Sequence, residues 1–148
     1  MKVDSKGKKR AIGFDIKMAW LAISRMYNTA AKGQEVTSNS GFVLLHIDEE
    51  EGTPATKIAP LMGMEARSLT RMLSRLEQQG FISRKADKID RRMVRIFLTA
   101  KGMEMKSRAK ATVLDFNTKV YEKIPEEKLR IFFEVIDQLH EIIKSKGL

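Results

Sequence analysis

Residues 65–80 read Glu65-Ala66-Arg67-Ser68-Leu69-Thr70-Arg71-Met72-Leu73-Ser74-Arg75-Leu76-Glu77-Gln78-Gln79-Gly80, and Phe81-Ile82-Ser83-Arg84-Lys85 follow directly. Leu69, Met72, Leu73 and Leu76 recur at the i, i+3, i+4, i+7 spacing of one helix face, while Arg67, Arg71, Ser74, Arg75 and Gln78 fall on the other. The spacing predicts a helix that is apolar toward a core and cationic toward solvent, with Gly80 as its C-terminal stop. Just upstream, Thr53-Pro54 reads as an N-cap with proline at the first helical position of a shorter helix. That helix should turn Ile58, Leu61 and Met62 inward and end at Gly63, and Pro60, lying beyond its first turn, should shorten or distort it. A helix, a glycine-centred turn and a second helix with a basic outer face form the helix-turn-helix arrangement, whose second helix enters the major groove of DNA.

Downstream, Phe81 to Lys85 and Met93 to Leu98 switch to strand-like content around Ala86 to Arg92, which predicts a hairpin. Lys85, Lys88, Arg91, Arg92 and Arg95 outnumber Asp87 and Asp90 there, so the hairpin is a net positive finger suited to a phosphate backbone or a minor groove. A solvated hairpin without a ligand is the alternative. Upstream, Phe42, Val43, Leu44, Leu45 and Ile47 follow Ser38 to Ser40 as candidate caps and precede Asp48 to Glu51 and Gly52, a second short helix. Before it, Ile16, Ala19, Trp20, Ile23, Met26, Tyr27 and Ala30 predict a helix from Asp15 that ends near Gly33 and Gln34, with Met18, Leu21 and Ala22 as a second apolar flank. Thr99 caps a long fifth helix with Met105, Ala109, Val113, Phe116 and Val120 on one side. Pro125, Glu126 and Glu127 open a sixth carrying Leu129, Phe132, Phe133, Ile136, Leu139, His140 and Ile143. The terminal helices carry more apolar surface than one small domain covers, which points to burial in a two-fold dimer, with a closed monomeric bundle as the competing account.

A chain of 148 residues is long enough to bury a core without disulfides, and 43% hydrophobic with 32% charged residues is normal for a globular protein. Twenty-eight Lys and Arg against 19 Asp and Glu leave a formal charge of +9, which favours polyanionic partners. Cysteine is absent, excluding disulfides, zinc fingers and thiol redox sensing within the chain. No apolar run approaches the roughly 20 residues of a membrane span. Lys2, Lys6, Lys8, Lys9 and Arg10 precede no signal-type apolar core, so a cytoplasmic protein is the expectation. This basic arm is read as solvated. Glycine-rich phosphate loops, nucleophile elbows and metal-ligand spacings are all missing, so no enzyme chemistry and no cofactor are expected. His46 and His140 stand far apart without a carboxylate pattern and are read as structural rather than metal-binding.

Leu69-Thr70-Arg71-Met72-Leu73-Ser74-Arg75-Leu76 through Gly80, Asp90-Arg91-Arg92, and Leu98-Thr99-Ala100-Lys101-Gly102 together closely resemble the MarR family of transcriptional regulators. The resemblance implies a mainly α winged helix-turn-helix with a small β-hairpin, forming one domain over residues 1–148. Within it, residues 36–100 would bind DNA and residues 11–33 and 101–148 would form dimerisation helices. It implies a recognition helix from Glu65 to Gly80, a wing whose Arg92 enters the minor groove, and an Asp90 that orients a wing or helix arginine through an ion pair. Two such helices, roughly 34 Å apart, would face successive major grooves of a near-palindromic operator. Arg67, Ser68, Thr70 and Arg71, toward the helix start, are expected at base edges, and Ser74, Arg75, Lys88 and Arg91 at phosphates or one another. Family members commonly repress transcription and release DNA when a small aromatic or amphipathic anion fills a cleft between the dimer helices and the winged helix. Met18, Trp20, Met26, Tyr27, His46 and Phe116 are the candidate lining residues, and plain core is the competing reading for each. A winged helix used for protein or RNA contacts remains the alternative function.

Overall fold

In the computed structural model, Leu69, Leu73 and Leu76 are at most 3% exposed and Met72 packs beside them, so the apolar stripe of residues 65–80 is the side on which the core is built. The structure describes residues 2–3, 7, 9–33 and 35–145. Lys6, Lys8 and Gln34, named above in the basic arm and the first interhelical stretch, lie outside the described residues. The elements run β1 (Lys2–Val3), β2 (Lys9–Arg10), α1 (Ile12–Ala30), α2 (Ser38–Leu45), β3 (Thr53–Pro54), α3 (Ala55–Leu61), α4 (Ala66–Gln78), β4 (Ile82–Ala86), β5 (Val94–Leu98), α5 (Ala100–Lys123) and α6 (Glu126–Ser145). The chain divides into two compact units, Met1–Thr112 and Val113–Leu148, with the division inside α5.

The core of the first unit joins Val43, Leu44 and Ile47 from α2 and its exit, Ile58 and Ala59 from α3, the leucines of α4, Phe81 just before β4, Ile82 and Ile96 from the sheet, and Met105 from α5. Seven of its side chains, Phe81 the largest, are less than 2% exposed. In the second unit Leu129 is the buried apolar residue of α6.

Thr53 and Pro54 do not open a helix, as the sequence suggested. They form β3, pairing antiparallel with β5 in a three-stranded sheet of order β3-β5-β4. Pro54 lacks an N–H, so it fits at a sheet edge, and α3 begins one residue later. Pro60 lies inside α3, which runs for only seven residues. Leu61, expected inward, is 62% exposed, while Ile58 is fully buried and Met62 packs against the core. The cap of α2 is Thr37, whose Oγ1 accepts the Ser40 N–H; Ser38 and Ser40, expected as caps, lie within the helix. Thr99 does cap α5: its Oγ1 accepts the Gly102 N–H at 3.0 Å and donates to the Gly80 carbonyl at 2.6 Å. One hydroxyl thus fastens the start of α5 to the end of α4.

Candidate nucleic-acid interface

With its leucines in the core, α4 turns Arg67, Arg71 and Arg75 outward, and among the described residues none of the three has an ion-pair partner. Ser68, Arg71, Met72 and Arg75 line an open hollow of about 360 Å³ whose other wall is Thr37, Ser40 and Met64. Thr37, Ser40 and Met64 were not among the expected site residues. The Thr-x-x-Ser pattern at the head of α2 is the signal that places two of them there, because a capping threonine faces the exposed helix end.

Two of the three hydroxyls of α4, those of Thr70 and Ser74, are engaged within the protein. Thr70 Oγ1 donates to the Ala66 carbonyl at 2.8 Å and Ser74 Oγ to the Thr70 carbonyl at 3.0 Å. Ser74 also accepts Arg84 Nη2 at 2.9 Å, so this half-buried side chain, expected at the DNA, is occupied as both donor and acceptor by its own fold. Arg84 was read only as part of a strand. It pairs with the fully buried Ile96 across the sheet and therefore shares the inner face that looks toward α4.

The wing is organised by Asp87, a 5% exposed carboxylate. Its Oδ1 accepts the Ile89 and Asp90 N–H groups at 2.8 and 3.1 Å, and its Oδ2 accepts Arg95 Nε at 2.7 Å. The two backbone donors and the guanidinium hold its carboxyl below the ordinary 3.8, lowered to about 2. Arg95 also donates from Nη1 to the Glu51 and Gly52 carbonyls at 3.1 and 3.2 Å, so it anchors the wing to the loop before β3. Arg95, counted in the sequence with the projecting cations, is instead a structural brace, because a buried carboxylate takes its Nε and two carbonyls take its Nη1.

Beyond this frame the wing tip is basic and exposed. Arg92 has 92% of its side chain exposed, and its Nε lies 3.2 Å from Asp90 Oδ1, which also accepts the Arg92 N–H. Asp90 is thus ion-paired to a wing arginine. Lys88 and Arg91 are exposed and, among the described residues, have no ion-pair partner.

The residues suggested for a ligand are only partly brought together. Trp20 and Tyr27 of α1 flank Phe42, with ring centroids 6.2 and 5.5 Å from it. Tyr27 is buried, which pushes its hydroxyl above the ordinary pKa, while Met18, Trp20 and Met26 are substantially exposed. His46 Nδ1 donates to the Phe42 carbonyl at 2.8 Å, and Phe116 belongs to the second unit. Among the described residues no group of three or more His, Asp or Glu side chains is placed to hold a metal ion, and no helix is long and apolar enough to cross a membrane.

Residues 36–94 match the model of the MarR family. Over that stretch the chain is similar to the MarR family. Among curated MarR-type relatives, the HTH-type transcriptional regulator TtmR of Methylorubrum extorquens (strain PA1) is 36% identical over 95 residues, 64% of this chain and 49% of the relative. The chain thus spans about half the length of that relative. The organic hydroperoxide resistance transcriptional regulator of Bacillus subtilis (strain 168) is 28% identical over 122 residues, covering 80% of this chain and 82% of its own. These relatives are transcriptional regulators, not enzymes. Solved structures share the fold: the transcriptional regulator SlyA at TM-score 0.82 and 23% identity, over 93% of this chain and 96% of its own. The S. aureus MepR–DNA complex follows at 0.79 and 16%, over 93% and 99%. CouR from Rhodococcus jostii RHA1 bound to p-coumaroyl-CoA reaches 0.77 and 24%, over 86% and 90%. The winged helix of these solved structures is therefore the fold of this chain: mainly helical, with a three-stranded antiparallel sheet.

Proposed function

We propose that this chain is a MarR-family transcriptional regulator that binds duplex DNA as a homodimer, with α4 in the major groove and the wing at the backbone or minor groove. The observation that carries this reading is the division of labour among the cations. Arg84 and Arg95 brace the fold, whereas Arg67, Arg71, Arg75, Lys88 and Arg91 are exposed without ion-pair partners among the described residues, and Arg92 extends from the wing. Unneutralised cations on one helix and its neighbouring hairpin suit a polyanion, whose release of counterions drives binding. MepR, a protein of the same fold, has been solved in complex with DNA.

Base-edge contacts fall to Arg67, Ser68, Thr70 and Arg71, near the start of α4, and phosphate contacts to Arg75, Lys88, Arg91 and Arg92. The homodimer rests on the apolar residues left in solvent: Phe14, Ile16, Met18 and Trp20 on α1, and Phe132, Phe133, Ile142 and Ile143 on α6, each 44–62% exposed. Paired subunits present two copies of α4, which calls for a near-palindromic operator with half-sites about one helical turn apart. The same reading makes the protein a repressor that responds to a small aromatic or amphipathic effector, with Trp20 and Tyr27 around Phe42 as the apolar platform; CouR was solved with an acyl-CoA bound. It includes no catalysis and places the protein in the cytoplasm.

Selection of bound sequences from a random duplex pool tests this function. The expected result is an enriched inverted repeat whose binding weakens steeply with salt while keeping its preference over random DNA. Enrichment of no sequence overturns it.

A further inference from the structure

Arg84 is a partly buried cation of the winged helix, turned toward α4. Its side chain is 29% exposed, its Nη2 donates to Ser74 Oγ at 2.9 Å, and its Nε faces Glu77 Oε2 at 3.2 Å, an ion pair that falls short of a hydrogen bond. Ser74 Oγ passes the connection on to the Thr70 carbonyl, one turn nearer the base-reading end of α4. The strand side is equally fixed, because Arg84 lies opposite Ile96 in the β4–β5 register, and Arg95, the residue before Ile96, holds Asp87 and the wing turn.

We infer that Arg84 is a positioning residue for DNA recognition: a strut from β4 to α4 that sets the angle between recognition helix and wing without itself touching DNA. The inference rests on the DNA-binding reading. An arginine suits the task because its planar fork engages two partners on adjacent helical turns at once, while its stem lies along the core. Helix and wing must engage one duplex together, so a change in their angle costs affinity for the correct sequence even when every contacting cation is retained.

The test uses the full chain and the duplex that it selects from a random pool. Arg84→Met keeps the stem and removes the fork; Ser74→Ala removes the other end. Each should weaken binding to the selected duplex by about five- to tenfold, and the double variant should be no weaker than either single one, because both break the same contact. Ser74→Thr, which keeps a hydroxyl, should retain more affinity than Ser74→Ala. The slope of log affinity against log salt should stay unchanged in Arg84→Met, whereas loss of a phosphate contact lowers it by about 0.9. Additive losses, a changed slope or full affinity in both single variants each overturn the strut. Should Arg84→Met fail to fold, Arg84→Gln, whose shorter side chain does not span to Ser74, takes its place in the same test of additivity with Ser74→Ala. Failure of the wild-type chain to prefer any duplex overturns the DNA reading itself, an outcome separate from these.

Discussion

A single arginine or aspartate in this chain is defined less by its charge than by what it touches. Arg71 is exposed on α4, beside Ser68 at the hollow's edge and without an ion-pair partner among the described residues. Arg71→Ala is therefore expected to leave the melting temperature nearly unchanged and to weaken binding to the selected duplex by about 1–3 kcal/mol. Titrations against selected and random DNA decide the role, since equal loss on both means that Arg71 reads no base. Asp87 is the opposite case, a carboxylate consumed by structure. Its folded pKa of about 2 lies below the ordinary 3.8, so the unfolded chain holds the proton more tightly. The stabilisation is fully present above the ordinary value and is lost as pH falls through 3.8 toward about 2. Asp87→Asn should accordingly melt lower than wild type at pH 6, and the gap between them should close as both are melted down to pH 2.5. A gap that stays constant would show that the carboxylate's charge contributes nothing.

At the scale of elements, Gly102 shows how tightly the winged helix is closed. It lies in the first turn of α5, where an added Cβ would fall 1.9 Å from the Phe81 carbonyl oxygen and 3.3 Å from Leu98 Cδ2. Alanine favours a helix over glycine by about 1 kcal/mol, but here overpacking against backbone outweighs that gain. Gly102→Ala is expected to destabilise the fold by about 1–3 kcal/mol in urea unfolding, and a neutral result removes the account of this contact. The leucine spacing of α4, the wing strands and the Thr99 cap were legible in the sequence because each is a local pattern of period or capping that the core reinforces. Other features depend on distant partners. Strand β3 is two residues long and exists only because β5 lies beside it, so Thr53-Pro54 carried the stronger local signal of a helix start. Ser74 and Arg95 looked like members of a DNA-facing surface and Arg84 like an ordinary strand residue, since sequence reports side-chain type without reporting whether a carboxylate, carbonyl or hydroxyl already holds it.

For the whole molecule the decisive quantity is apolar surface left without a neighbour. In the first unit α1 buries only Tyr27 among its 19 residues, and in the second α6 buries only Leu129 among its 20. Phe132 and Phe133 stack edge to face at 5.5 Å while remaining 54% and 51% exposed. Single exposed apolar residues are ordinary, but rows of them along a helix mark a surface that associates. A second copy of the chain covers such rows by symmetry without requiring any other partner. Phe132→Glu combined with Ile143→Glu should therefore shift sedimentation from dimer toward monomer at micromolar concentration. Binding to the selected inverted repeat should fall far more than binding to a single half-site, because the second α4 would no longer be delivered by the first. A variant that sediments as a dimer, or a wild-type chain that sediments as a monomer while gripping both half-sites, separates DNA recognition from these helices and assigns the exposed rows to another partner.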